Sequence, residues 1–230
     1  MTEFHDHRTG TDNTAFAMRY ASKVVNPFHG LVRELLSRWS SEATAPVVGI
    51  TSAAHKSGVT SIAVNLGVSA AEIVQRPALL IDCNANAPDL LATFALPKSC
   101  GVHEVVAGEQ LLTDCICLTR IQNLQVLGPG RATFERGNAD ETQGWKHLLR
   151  DASTQFGIVI MDLPPVPELL SEVMSLQEID RLLLVVEAER TRRQAVLRAK
   201  RQLQRIGIEL SGVVLNKRRK HIPGWIYRRI

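Results

Sequence analysis

The sequence lacks features that would exclude an ordinary globular domain. Aromatic residues make up only 5% of its 230 residues and charged residues 22%, whereas apolar residues reach 45%, enough for a sizeable core. No apolar run approaches the about 20 residues that a membrane-spanning helix needs. Residues 1–13 are polar and lack the apolar segment of a secretory signal. We therefore predict a cytoplasmic protein of one domain.

Cysteine is scarce, which limits the metal and disulfide sites that the chain can build. The four cysteines are Cys83, Cys100, Cys115 and Cys117. Cys115 and Cys117 are spaced as half of a metal site, but no second pair or suitably spaced histidine completes it. We therefore predict reduced thiols that pack as small apolar groups.

Acidic residues are nearly absent from the last part of the chain. From Arg190 to Ile230 there are thirteen lysines or arginines and a single acid, Glu209, within a chain of net charge +4. Such an asymmetry favours an anionic partner, which would be a membrane surface, an acidic protein or nucleic acid. The alternative is a solvated helix face followed by a basic tail.

Short apolar runs alternate with amphipathic stretches from Pro46 onward. Continuous apolar runs indicate strands that are buried on both faces of a parallel sheet, and they cover residues 47–50, 78–81, 158–161, 182–186 and 213–215, with a weaker run at 124–127. Helices are predicted between them, over residues 61–75, 141–153 and 191–206, with Gly207 as the C-cap of the last. The alternation predicts an α/β, doubly wound, mainly parallel sheet.

The chain divides into four predicted segments. Residues 1–13 have no apolar period and are predicted to be disordered, and residues 14–45 form a helical arm that Pro27 interrupts. In this arm Leu31, Leu35, Leu36 and Trp39 share one face. Residues 46–216 form the α/β domain, and residues 217–230 form the basic tail.

A phosphate-binding motif follows the first predicted strand. Residues 53–60 have the P-loop spacing of a small residue, four residues, glycine, lysine and serine or threonine, except that Val59 occupies the lysine position. Backbone N–H groups of such a loop cradle phosphates at a helix N-terminus, Gly58 lets the backbone turn, and the Thr60 hydroxyl can ligate Mg²⁺. Lys56 or His55 is a candidate substitute cation. The alternative is an ordinary turn between a strand and a helix.

Two further strands end in carboxylates. Asp82 ends the run at residues 78–81, and Asp162 ends the run at residues 158–161, directly before Pro164. The carboxyl ends of parallel strands meet at the crevice where ligands bind. Carboxylates beside a phosphate loop are what Mg²⁺ and its waters need. Each aspartate alone could instead be a turn former or a helix N-cap.

Taken in order, these motifs resemble the cytoplasmic P-loop domain of bacterial tyrosine kinases, the autokinases of capsule and exopolysaccharide export. The resemblance covers residues 46–216 and is carried by residues 51–66, 79–82 with Pro88, 101–108, 162–166, 180–186, 191–193 and 212–216. It implies a P-loop fold that binds ATP or ADP with Mg²⁺. It further implies phosphate contacts from Ser57, Gly58, Val59, Thr60 and Ser61, metal ligation by Thr60, Asp82 and Asp162, and Asn216 near the adenine.

The departures from the family pattern affect residues that would take part in metal binding and phosphoryl transfer. Val59 replaces the lysine, Asn84 replaces the second metal carboxylate, and Asn86 stands where the family has arginine. Tyr20 and Tyr227 are the only tyrosines, so there is no tyrosine-rich tail to phosphorylate. We therefore predict a pseudokinase-like, nucleotide-responsive regulator. The alternatives are an active ATPase or autokinase that uses Lys56, with Asp82 and Asp162 as catalytic carboxylates, and a partitioning-type scaffold ATPase bound to DNA or membrane.

The resemblance and the basic tail together suggest partners. The resemblance implies a membrane-embedded polysaccharide chain-length or export protein as a partner. We also predict a homo-oligomer, and the helical arm is either packed on the domain or a contact between copies. Ile222, Trp225, Ile226 and Ile230 among the arginines of the tail would suit an anionic membrane surface, placing the protein at the inner face of the membrane. Alternatively, Trp225 packs back onto the domain. Nucleic acid is the less favoured partner, because Trp225 and Tyr227 are too few aromatics for a stacking platform.

Overall fold

The structure is a computed structural model that describes residues 27–37, 39, 41, 43–84, 88–97, 99–130, 139–169 and 176–217. The segment predicted to be disordered, arm residues 14–26 and the tail beyond Lys217 lie outside the described residues, as do Asn86, Tyr20 and Tyr227. In the part of the chain that is described, no helix is both long and apolar enough to cross a membrane.

A seven-stranded sheet forms the centre of the domain, in the order β3-β4-β2-β5-β1-β6-β7. The strands are β1 (Val47–Ser52), β2 (Ala78–Asp82), β3 (Ile116–Leu118), β4 (Leu124–Leu127), β5 (Ile158–Asp162), β6 (Arg181–Glu187) and β7 (Gly212–Asn216). All neighbours pair in parallel except β3, which runs antiparallel to β4 at one edge. β1, β2 and β5 are buried along their whole length, as the continuous apolar runs predict.

Helices cover both faces of the sheet, which confirms the predicted α/β, doubly wound fold. α1 (residues 27–37) and α2 (Val59–Ile73) pack on one face, and α6 (Ala139–Gln155) and α8 (Arg193–Arg205) on the other. Shorter helices are α3 (Leu90–Thr93), α4 (Val102–Val106), α5 (Leu112–Cys115) and α7 (Val166–Leu169), with a 3₁₀ turn at Leu176–Glu178. Each face has its own apolar cluster, so the sheet separates two cores.

The long helices agree with the sequence pattern to within two residues at each end. Gly207 has a φ of 79° just beyond α8, and this left-handed conformation confirms its predicted capping role. In the arm, the buried face of α1 consists of Phe28, Val32 and Leu35, whereas Leu31 and Leu36 are only half-buried. The buried face of α1 is therefore rotated about the helix axis relative to the predicted one, because Phe28 and Val32 pack in the apolar cluster with α2 and the sheet.

The prediction of four reduced cysteines is wrong for two of them. Cys100 and Cys115 are paired as a disulfide across 15 residues, whereas Cys83 and Cys117 are free. Sequence spacing alone did not indicate the pair. The fold brings the start of α4 against the end of α5, which leaves the two Cα atoms 5.0 Å apart.

Candidate nucleotide and metal site

The two carboxylates that the sequence singles out lie side by side at the carboxyl edge of the sheet. β2 and β5 are neighbours, and their parallel register pairs Asp82 with Asp162. β1 lies on the other side of β5 and leads directly into the loop at residues 53–58. The Thr51 hydroxyl donates to the Pro164 carbonyl at 2.6 Å, which ties the end of β1 to the turn after Asp162. The parallel topology therefore assembles the loop and both carboxylates.

The loop itself is held by short-range hydrogen bonds. The hydroxyls of Ser52 and Ser57 both donate to the Ala54 carbonyl, at 2.7 and 2.8 Å. Lys56 has a φ of 61° and Gly58 a φ of 90°, so two residues of the loop adopt the left-handed conformation. For Gly58 this costs little, and the turn delivers the chain into the first turn of α2. The result is a helix N-terminus that faces the strand ends, which is the geometry of a phosphate cradle.

Asn216, at the end of β7, packs directly on this loop. Its side-chain amide donates to the Ser57 carbonyl at 2.9 Å. A Cβ atom at position 58 would lie 2.3 Å from the amide nitrogen of Asn216, so a larger residue there would displace the Asn216 side chain. The structure therefore places Asn216 beside the phosphate loop, with its amide nitrogen engaged by the loop backbone.

Asp162 has the larger pKa shift of the two carboxyl groups of the site. Burial, followed by the nearby charge of Asp82, raises its pKa from 3.8 to about 8. The Thr60 hydroxyl lies close enough to oppose this shift, but neither carboxyl oxygen of Asp162 completes a hydrogen bond of ordinary geometry to a residue that the structure describes. A buried carboxyl with unused oxygens is a costly arrangement unless a cation or a proton joins it.

Asp82 is equally buried but is better satisfied. Its two carboxyl oxygens accept the backbone N–H groups of Asn84 and Leu90, each at 3.1 Å. Burial nevertheless raises the pKa of Asp82 to about 6, because desolvation outweighs these two hydrogen bonds. The hydrogen bonds fix the carboxyl in place beside Asp162.

The donor set suits a hard divalent cation. Asp82, Asp162 and the Thr60 hydroxyl offer oxygen ligands only, and the unpartnered oxygens of Asp162 are the atoms that a cation would satisfy. Within the described residues no group of three or more His, Cys, Asp or Glu side chains forms a site by itself. The residues therefore fit Mg²⁺, which ordinarily keeps waters and phosphate oxygens in its remaining positions.

The lysine position holds a side chain of a different kind. Val59 is half-buried and packs against the apolar cluster on the α2 face of the sheet. Of the two candidate substitutes, Lys56 is exposed and makes no side-chain hydrogen bond or ion pair within the described part of the chain, and the His55 ring pairs with Glu168 of α7. Neither side chain is directed by a described contact toward the carboxylates.

Three residues of this region escaped the sequence interpretation. Lys217 donates from its ammonium group to the Lys56 carbonyl at 2.7 Å and lies 3.4 Å from a carboxyl oxygen of Glu187. Glu168 anchors His55 from the helix after β5. These partners are up to 161 residues apart in sequence, so only the sheet order could reveal them.

Comparison with known proteins identifies the relatives of the chain. It is 27% identical over 172 residues to the tyrosine-protein kinase CpsD of Streptococcus pneumoniae, covering 74% of this chain and 75% of that one. It is 25% identical over 169 residues to the tyrosine-protein kinase YwqD of Bacillus subtilis, covering 74% and 71%. No protein-family model matches the chain. The homologues of this chain are thus bacterial tyrosine-protein kinases, as the resemblance in sequence predicts.

Solved structures agree on the fold. The kinase domain of VpsO superposes with a TM-score of 0.69 at 25% identity, covering 90% of this chain and 98% of that one. The kinase domain of the Escherichia coli tyrosine kinase ETK gives 0.76 at 20% identity, covering 96% and 88%. The septum site-determining protein MinD of Pyrococcus horikoshii, solved with Mg-ADP, gives 0.61 at 19% identity, covering 80% and 76%. The domain therefore has the P-loop NTPase fold.

Proposed function

We propose that this chain, whose homologues are bacterial tyrosine-protein kinases, is a nucleotide-responsive regulator of exopolysaccharide or capsule synthesis that binds Mg·ADP or Mg·ATP and transfers phosphoryl groups slowly or not at all. The observation that carries the proposal is the contrast within one site. The loop, Thr60, Asp82 and Asp162 lie together in an arrangement that would suit a phosphate and a metal ion, whereas Val59 and Asn84 lack the charges that catalysis would use.

The residues retained are those that suffice for binding. Loop N–H groups and the N-terminus of α2 attract phosphate without a side-chain cation. Thr60, Asp82 and Asp162 would hold Mg²⁺, which supplies neutralising charge to the phosphates when it is bound. Asn84 offers an amide oxygen that is buried and without a hydrogen-bond partner in the described residues, but it brings no negative charge. Binding is therefore favoured over turnover.

Calorimetric titration with Mg·ADP and Mg·ATP tests the proposal. We expect micromolar binding by the wild-type protein and little or none by Asp162→Asn, which keeps the size of the side chain. Hydrolysis and autophosphorylation measured on the same samples should be slow. A folded wild-type protein that binds neither nucleotide would exclude a nucleotide-linked function, and turnover at the rate of a working kinase would exclude the regulatory one.

We also propose that the protein acts at the inner face of the membrane, with a membrane-embedded polysaccharide protein as its partner and with copies of itself. The resemblance to the kinase family supports the membrane-embedded partner. The charge on α8 supports the location, because its exposed face carries five cations and the helix contains no acid. These cations are Arg193, Arg198, Lys200, Arg201 and Arg205, and none of them forms an ion pair within the described ranges.

Vesicle sedimentation tests this location. Each basic residue near an anionic surface contributes about 1 kcal/mol, so Arg201→Gln/Arg205→Gln should bind vesicles with about one-third phosphatidylglycerol at least tenfold more weakly than the wild type. The matched control is Arg33→Gln/Arg150→Gln, which removes two exposed arginines from other helices. Equal loss in both variants would indicate an effect of net charge alone. Preference for duplex DNA at low salt would favour the partitioning-type alternative.

A further inference from the structure

We infer that Lys217, the residue directly after β7, supplies the positive charge that the phosphate loop lacks at Val59. This inference rests on the proposed nucleotide binding and deepens it by assigning the cation of that site. Among the residues that the structure describes, Lys217 is the one whose side-chain cation hydrogen-bonds to the loop backbone, at 2.7 Å from the Lys56 carbonyl oxygen. No sequence motif marks it, because it lies 158 residues beyond Val59.

The position of Lys217 is fixed by its backbone as well as by its side chain. Lys217 has a φ of 55°, a left-handed conformation that a residue other than glycine adopts at a cost. Its N–H group donates to the side-chain oxygen of Asn216 at 2.8 Å, and the amide of Asn216 in turn donates to Ser57. Asn216, the last residue of β7, and Lys217, which follows it, therefore hold two consecutive carbonyls of the loop, those of Ser57 and Lys56.

The side chain of Lys217 also closely approaches the glycine that precedes Val59. Its Cε atom would lie 3.8 Å from a Cβ atom at Gly58. The ammonium group of Lys217 is consequently held close to the loop backbone from which a lysine side chain at position 59 would extend. Since the side chain is 46% exposed and flexible, the ammonium group can exchange the carbonyl for a phosphate oxygen without movement of β7.

The competing cations of the loop are less well placed. The His55 ring is paired with Glu168, and the side chain of Lys56 is exposed and has no partner among the described residues. Lys217 itself lies 3.4 Å from Glu187, a mostly buried acid that also approaches Arg190 at 3.7 Å. Glu187 holds the ammonium group near the loop but offsets part of its charge. Substitution of Glu187 therefore distinguishes a supplied charge from a merely structural ion pair.

The first test measures the affinity for Mg·ADP by calorimetry on full-length variants. Removing one positive charge beside a phosphate should weaken binding about tenfold in Lys217→Met. Lys217→Arg should stay within about threefold of the wild type because it keeps the charge, and Lys56→Met should stay within about twofold. Glu187→Gln should bind at least as tightly as the wild type. If Lys217→Met binds as the wild type does, the inference is wrong.

The second test asks whether the charge, and not only the anchoring of the loop, matters. Restoring the lysine in Val59→Lys/Lys217→Met should recover the affinity lost in Lys217→Met, since one cation then replaces the other. Failure of this rescue in a folded double variant would overturn the inference and leave Lys217 a structural anchor. If the wild-type protein binds no nucleotide, the proposed function fails and this inference fails with it. If only the Lys217 variants behave otherwise than expected, the proposed function stands.

Discussion

Asp162→Asn is expected to make the nucleotide-free protein more stable than the wild type at pH 8, by about 2–4 kcal/mol. The pKa of this carboxyl rises from 3.8 to about 8 on folding, so at pH 8 the folded protein must either hold a charge that its interior disfavours or take up a proton that the unfolded chain has released. The full shift corresponds to a larger free energy, but relaxation and water entry reduce the cost. Asparagine keeps the shape and removes the charge.

The pH dependence of this gain has a defined direction. Because the pKa is higher in the folded state, the folded protein binds the proton more tightly, and the wild type loses stability as the pH rises from about 4 to about 8. The difference between variant and wild type should therefore be small near pH 4, grow up to pH 8 and remain constant above. Urea denaturation at several pH values measures it. Asp151→Asn, at an exposed site on α6, is the matched control and should show no such trend.

Magnesium and nucleotide should offset most of this difference in stability. A ligand present at about 100 times its dissociation constant stabilises the folded state by about 2.7 kcal/mol. The wild type should gain this stabilisation from Mg·ADP, whereas Asp162→Asn should gain little, because it has lost one metal oxygen and its charge. An asparagine variant that is less stable than the wild type at pH 8 without ligand would contradict the description of Asp162 as an unsatisfied carboxyl.

Val59→Lys is expected to raise the rate of ATP hydrolysis or autophosphorylation by about 10²–10³ over the wild type. A fixed cation at this position stabilises the charge that develops on the transferred phosphoryl group, and one preorganised electrostatic contact is commonly worth that factor. Val59 is only half-buried, so a lysine stem can lie along the same apolar surface. Single-turnover assays with excess protein give the rate directly.

The control for this gain is Val59→Met, which has a similar length and no charge. Adding Asn84→Asp to Val59→Lys should increase the rate further, because it returns a carboxylate beside Asp82. If Val59→Lys is no faster than Val59→Met, the slow chemistry has a cause other than the missing lysine. A wild-type protein that already turns over rapidly would favour the alternative of an active enzyme with a substitute cation.

The order and type of the main elements follow from local chemistry. The continuous apolar runs that end at Asp82 and Asp162 become central strands because residues buried on both faces tolerate no polar alternation. Edge elements were harder to predict. β3 has only three residues, half-buried or exposed, so its antiparallel pairing with β4 depends on a neighbour and not on its own pattern.

In the candidate site, too, some features could be predicted from the sequence and others could not. The loop and the two carboxylates were visible in the sequence because each lies directly after a buried strand. The disulfide between Cys100 and Cys115, the pairing of His55 with Glu168 and the contact of Lys217 with the loop were not visible. These contacts join elements that are distant in the chain, and side-chain identity alone does not specify such a meeting.

The sequence by itself determined the alternation of strands and helices, the position of the phosphate loop and the absence of its lysine, since periodicity and motif spacing are local properties of the chain. The tertiary structure decided which distant residues complete the site. Placing β5 between β1 and β2 sets Asp82 beside Asp162, and placing β7 beside β6 brings Asn216 and Lys217 onto the loop. Strand order depends on the packing of the whole sheet, and therefore only the folded chain reveals it.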